Sequence, residues 1–213
     1  MFVINLKNYK IGKEVIDLIR KLEVYYPKSI VAVPDLELKE TIKNANNASM
    51  EIISQHVDYH ERGRGTGYTI PEELINSGVK TSLLNHSEHR IPFIDIKKTV
   101  KRCNEIGIRL IICAENVKEA KELLKLNPYA IAFEDKKLIS TGKSITTHNE
   151  HDLKRFVELF KDSTTLPLCG AGISSGEDVA QAMIMGCKGV LVASAVANSQ
   201  TPEKFLKEVS NIL

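Results

Sequence analysis

No apolar run in the sequence approaches the ~20 residues needed to cross a bilayer, so a membrane-spanning protein is not expected. The start, Met1-Phe2-Val3-Ile4-Asn5, has neither the basic region nor the cleavage site of a signal peptide, and a cytoplasmic location is the expectation. There is no basic tract: Lys and Arg are interleaved with Asp and Glu, the formal charge is only +2, and nucleic acid is not an expected partner. The four cysteines, Cys103, Cys113, Cys169 and Cys187, include no Cys-x-x-Cys spacing, which argues against a zinc knuckle or a redox pair. They read as free thiols, mostly buried. The histidine pairs His56/His60, His86/His89 and His148/His151 contain no His-Glu-x-x-His, and no carboxylate-rich strand ends supply the remaining zinc ligands. Neither a metal nor a cofactor is expected. No Pro/Gly-rich linker or shift of composition divides the chain, so residues 1–213 read as one domain.

What is present is ample core material, with 43% hydrophobic and 26% charged residues in a chain of 213. Short, continuous, β-rich apolar runs recur at Phe2–Leu6, Ser29–Val33, Glu51–Gln55, Lys80–Leu84, Arg109–Cys113, Tyr129–Phe133, Leu166–Cys169 and Gly189–Val192. Runs without alternation suit parallel strands covered on both faces. Amphipathic segments with helical period lie between them, at Gly12–Glu23, Leu36–Ala45, Pro71–Ser77, Ile94–Ile106, Val117–Leu126, Glu150–Lys161, Gly176–Met185 and Thr201–Leu213. Such alternation predicts an α/β protein with a parallel sheet, closed as a single (βα)8 barrel. An open dinucleotide-binding sheet would show Gly-x-Gly-x-x-Gly after its first strand, where this chain has Asn5-Leu6-Lys7-Asn8-Tyr9-Lys10. The irregular stretch from His56 to Pro71 is longer than an ordinary connection, and loops of that length are usually functional.

In a barrel the polar residues just past the C-terminal strand ends form the active-site rim. Asn5 and Lys7 follow the first strand on the same face, and a lysine there suits an anionic substrate. His86 is the first imidazole after the fourth run, and a helix starting just beyond it would disfavour imidazolium through its positive dipole end. Glu134 ends the sixth run and is a candidate base. The small residues of Cys169-Gly170-Ala171-Gly172-Ile173-Ser174 and Val192-Ala193-Ser194-Ala195 let backbone N–H groups approach a phosphate between the last two strand ends.

Asn5-x-Lys7, Gln55-His56-Val57-Asp58, Gly65-Thr66-Gly67, Leu84-Asn85-His86-Ser87-Glu88, Glu134 with Ile139-x-Thr141-Gly142, and Cys169-Gly170-Ala171-Gly172-Ile173-Ser174 together resemble the triosephosphate isomerase family, in its compact archaeal type, over essentially the whole chain. The resemblance implies a TIM barrel that interconverts dihydroxyacetone phosphate and D-glyceraldehyde 3-phosphate through an enediolate, in glycolysis and gluconeogenesis. It implies Glu134 as the proton-transferring base, His86 as electrophile, and Lys7 with Asn5 stabilising the negative oxygen and the phosphate. Ile139, Ser140, Gly172, Ala193 and Ser194 would hold the phosphate through main-chain groups, Glu88 would partner Asn5 and Lys7, and residues 135–141 would form a lid. Thr66 would reach into a neighbouring subunit, implying a homo-oligomer, at least a dimer, with a tetramer as the larger alternative.

The chain departs from that pattern where Asp135-Lys136 replaces Pro-Pro, where Ser140 replaces a glycine, and at Ala195. Without the fixed φ of proline, the lid is expected to be looser. A pentose-phosphate epimerase would share the phosphate turns, but it needs histidine and aspartate metal ligands, and the second strand ends in Val33-Pro34-Asp35. A barrel that binds a sugar phosphate without turnover is the other alternative.

Overall fold

The computed structural model describes residues 1–135 and 145–213. Eight parallel strands close into a barrel in chain order: β1 (Phe2–Asn5), β2 (Ile30–Val33), β3 (Glu51–Ser54), β4 (Thr81–Leu84), β5 (Arg109–Ala114), β6 (Ala130–Phe133), β7 (Leu166–Cys169) and β8 (Val190–Val192), with β8 returning to pair with β1. The expected (βα)8 architecture is therefore the one observed, with each strand within two residues of its predicted bounds. Side-chain alternation explains why the strands read as continuous apolar runs. Val3, Ala32, Ile53, Leu83, Ile111, Ala130, Ala132, Leu168 and Leu191 fill the barrel interior. Their neighbours Phe2, Ile4, Val31, Val33, Ile52, Leu84, Ile112, Ile131 and Phe133 belong to a second apolar layer under the helices. With apolar side chains on both faces of the strands, the runs do not alternate, and the polar exceptions are few: Asn5, Glu51, Ser54, Thr81, Ser82 and Arg109.

The outer layer contains α1 (Lys13–Tyr25), α2 (Leu38–Asn44), α3 (Pro71–Asn76), α4 (Phe93–Ile106), α5 (Val117–Leu124), α6 (Ile145–His148), α7 (Glu150–Glu158), α8 (Gly176–Ile184), α9 (Ser194–Ala197) and α10 (Pro202–Ser210). The single-turn helices α6 and α9 were not expected, because four residues are too few to show a helical period. No helix among the described residues is long and apolar enough to cross a membrane. The four cysteines are free and buried, as expected, and burial pushes Cys103 and Cys187 up to about 12.

The stretch from 56 to 70 has no regular element but is well tied down. Asp58 donates its backbone N–H to the Thr69 carbonyl at 2.8 Å and accepts the Thr69 N–H through its carboxylate at 2.9 Å. Asp35, just beyond β2, accepts hydroxyl hydrogen bonds from Ser54 at 2.6 Å and Thr69 at 2.8 Å. The rings of Tyr59, His60 and Tyr68 stack in series, and the Lys98 ammonium sits over Tyr59.

Candidate active site

Because all eight strands run the same way, their C-terminal ends meet at one rim, and the pocket there is lined by Asn5, Lys7, His86, Glu134, Gly170, Gly172, Ala193 and Ser194 among others. Residues separated by as much as 189 positions in the chain thus face one cavity.

Glu134 leaves β6 as a buried carboxylate, only 4% exposed, with its backbone N–H still bonded to Ala114 across the sheet at 2.8 Å. Its Oε2 accepts the Ser87 N–H at 3.2 Å, and its Oε1 lies 3.1 Å from His86 Nε2. Behind it Cys113 is fully buried, and burial followed by the Glu134 charge pushes that thiol well above its ordinary range. A thiolate therefore does not compete with the carboxylate. Phe133, on the other face of the strand, stacks on Phe156 of α7 and pins the strand from outside. Next door, Gly170 bonds the Phe133 carbonyl at 2.9 Å, and a Cβ built on it would fall 2.9 Å from Glu134 Cγ. The absence of a side chain at 170 is what leaves room for the acid.

His86 is 8% exposed, and its Nδ1 accepts the Glu88 N–H at 3.2 Å. An acceptor at Nδ1 requires a lone pair, so the ring carries its proton on Nε2, the nitrogen facing Glu134. This corrects the expected cause, since α4 begins only at Phe93, seven residues on. A backbone amide, not a helix end immediately after His86, selects the neutral tautomer. The chain reaches His86 through Asn85, a buried residue in the left-handed region at φ 59°. Its amide nitrogen donates to the Cys113 carbonyl at 3.0 Å, while its oxygen accepts the Ile91 N–H at 3.2 Å. Glu119 of α5 backs this corner, accepting from Asn85 at 3.3 Å and pairing with Arg90.

Lys7 also adopts a left-handed backbone, φ 46°, and extends to the Glu88 carboxylate at 2.7 Å. Its N–H donates to the Asn5 side-chain oxygen at 2.9 Å. On the far side of the pocket Gly172 takes φ 70°, and Ala193 caps the short helix α9 that opens at Ser194. The first amides of a helix have no partner within it and face outward. By contrast, the start of α8 is occupied: Asp178 accepts the N–H groups of Ser174 and Ser175, and Glu208 accepts that of Gly176 at 2.9 Å. The amides at 174–176 are thus engaged within the chain.

The structure brings Asn5, Lys7, His86, Glu134, Gly172, Ala193 and Ser194 together, with Glu88 against Lys7. Thr66 is exposed near the tip of the long loop and does not line this pocket. Ile139, Ser140 and the segment 136–141 of the expected lid lie outside the described residues. Asp135, at the start of that segment, accepts the side-chain amide of Asn149 at 2.8 Å. Roles for Asn85, Gly170 and Glu119 were missed. The first two carry signals, an asparagine at a strand end and a glycine beside the acid; Glu119 carries none, since a glutamate on an amphipathic helix reads as solvated.

The family model described as triosephosphate isomerase matches residues 1–211. The chain belongs to the triosephosphate isomerase family. Curated relatives of that name include those of Methanothermus fervidus, 36% identical with 98% of this chain and 96% of the relative covered, and Thermoplasma volcanium, 34% identical with 97% of each covered. The protein from Methanocaldococcus jannaschii is 32% identical, with 98% of each chain covered. The family's reaction is the aldose–ketose interconversion of dihydroxyacetone phosphate and glyceraldehyde 3-phosphate, and a triose phosphate is the substrate.

Proposed function

We propose that this pocket performs the family's isomerisation with Glu134 as the base, His86 as the electrophile, and Lys7 with Asn5 as the groups that hold negative charge. The observation carrying the reading is the facing of the Glu134 carboxylate and the protonated Nε2 of His86 across 3.1 Å at the mouth of a buried pocket. A bound carbonyl oxygen would take the His86 N–H. Glu134 would then be released toward the carbon-bound proton, which it removes from one carbon and returns to the next. The enediolate between these steps concentrates charge on oxygen, where the Lys7 ammonium and the His86 donor lower its energy. Phosphate would sit on the amides near Gly172, Ala193 and Ser194, with Ile139 and Ser140 contributing from the lid; closure excludes water and suppresses loss of phosphate from the intermediate.

The same reading takes residues 1–213 as one barrel domain working in the cytoplasm as a homo-oligomer, at least dimeric. Thr66 at the exposed end of its tied-down loop would enter the partner's site, and Glu88 would hold Lys7 between turnovers. Glu134→Gln tests the assignment, because it keeps the shape and removes the base. A coupled assay on glyceraldehyde 3-phosphate should show kcat lowered at least ~100-fold, the usual scale for a general base. Retention of near-native turnover would remove Glu134 from the mechanism.

A further inference from the structure

Lys7 and Asn5 can act only if a lysine is kept in a backbone conformation that L-residues other than asparagine and aspartate rarely adopt, and if the Asn5 amide is turned the right way. One side chain bears on both. The Gln55 carboxamide, half-buried just past the end of β3, directs its nitrogen at the Lys7 carbonyl at 2.9 Å and at the Asn5 side-chain oxygen at 3.2 Å, with the Ala32 carbonyl further off at 3.4 Å.

Resting on the site assigned above, we propose that Gln55 is the positioning residue that orients Asn5 and Lys7 for the reaction. A carboxamide nitrogen has two hydrogens, and the two shorter contacts account for both. The Asn5 oxygen then receives Gln55 and the Lys7 N–H, which fills its two lone pairs. With its oxygen so engaged, Asn5 turns its NH2 group away from both donors, and among the described residues no acceptor takes that group. Asn5 lines the pocket, so its donor is available to an oxygen of the substrate. The bond to the Lys7 carbonyl holds the peptide after the left-handed residue and so sets where the lysine stem starts. Gln55 lines the neighbouring cavity and not the catalytic one; it acts through the other two residues.

Gln55→Met keeps the length and removes both donors. It is expected to lower kcat/KM about 10- to 100-fold, mostly in kcat, since misplacing catalytic groups by about 1 Å costs rate on that scale. The melting temperature should stay close to that of the parent. In an Asn5→Ala background the same change should cost much less, because residues that act as a unit are not additive. Gln55→Glu, which keeps the shape and places an acceptor against two acceptors, should give a loss at least as large and serves if the methionine variant does not fold. Asn5→Ala and Lys7→Met, assayed in parallel, test the site itself. If neither lowers turnover, the site assignment falls. If both do and Gln55→Met stays within about twofold of the parent, or its loss multiplies independently with that of Asn5→Ala, the role of Gln55 alone is overturned.

Discussion

His86 Nε2 and Glu134 Oε1 face each other at 3.1 Å, although they come from strands two apart in the barrel and from positions 48 residues apart in the chain. Each is held by a backbone amide of the intervening turn: Ser87 donates to the carboxylate and Glu88 to the ring. Two successive amides therefore set the position of the acid and the tautomer of the imidazole.

The fit of Glu134 depends on an empty space. Gly170→Ala would place a methyl 2.9 Å from Glu134 Cγ and 3.2 Å from the Phe133 carbonyl. The carboxylate must shift, and kcat/KM should fall roughly 10- to 100-fold, while overpacking costs about 1–3 kcal/mol in a urea unfolding series. Unchanged kinetics would show that Glu134 has freedom to spare.

Asn85 combines a left-handed backbone with a buried hydrogen bond to the Cys113 carbonyl and a half-buried one from the Ile91 N–H. Asn85→Ala should destabilise by roughly 2–5 kcal/mol, from unsatisfied groups and backbone strain together. Asn85→Gly relieves the strain alone and should be milder by about 1 kcal/mol. Chemical denaturation of the pair separates the two contributions, and equal losses would assign the whole effect to the hydrogen bonds.

His89 stacks on His56 with ring centres 4.3 Å apart, and burial, followed by the charge of His56, lowers its pKa from the ordinary value of 6.5, with Asp58 opposing. The folded state binds this proton less readily than the unfolded chain. The associated stability is present above 6.5 and is lost as pH falls through the lowered folded value. Native stability should therefore drop more steeply between neutral and mildly acidic pH than in His89→Gln, measured as melting temperature against pH. Parallel profiles for the two proteins would contradict this.

Asp135 opens the segment proposed as the lid and is tied to Asn149, the residue before α7. Asp135→Ala should loosen it by the worth of one hydrogen bond, raising the share of turnovers that end in inorganic phosphate by about 2- to 10-fold. Phosphate release measured against isomerised product checks this; an unchanged ratio would show that the Asn149 contact does not govern closure.

Much of the fold was legible because a parallel barrel imposes a strong pattern: strands buried on both faces cannot alternate, and turns with small residues must punctuate them. The site nominees were legible for a related reason. Groups such as Lys7, His86 and Glu134 stand where an apolar run stops, and parallel strands bring all such stops to one rim. Legibility failed where a residue acts through a contact that neither residue type nor periodicity reveals. Glu119 supports the Asn85 corner from 34 positions away, and the tautomer of His86 follows from an amide two residues on instead of from a nearby helix.

By itself the sequence determined the barrel, the family and the chemical groups available at its mouth, since these depend on residue type and on periodicity along the chain. Only the tertiary structure decided how those groups are aimed. The Asn5 amide, the left-handed Lys7, the His86 tautomer and the room for Glu134 are all settled by hydrogen bonds and close contacts between neighbouring strand ends. Such contacts depend on distances of a few ångströms, set partly by residues remote in the chain and partly by the local path of a loop, and no spacing along a sequence encodes them.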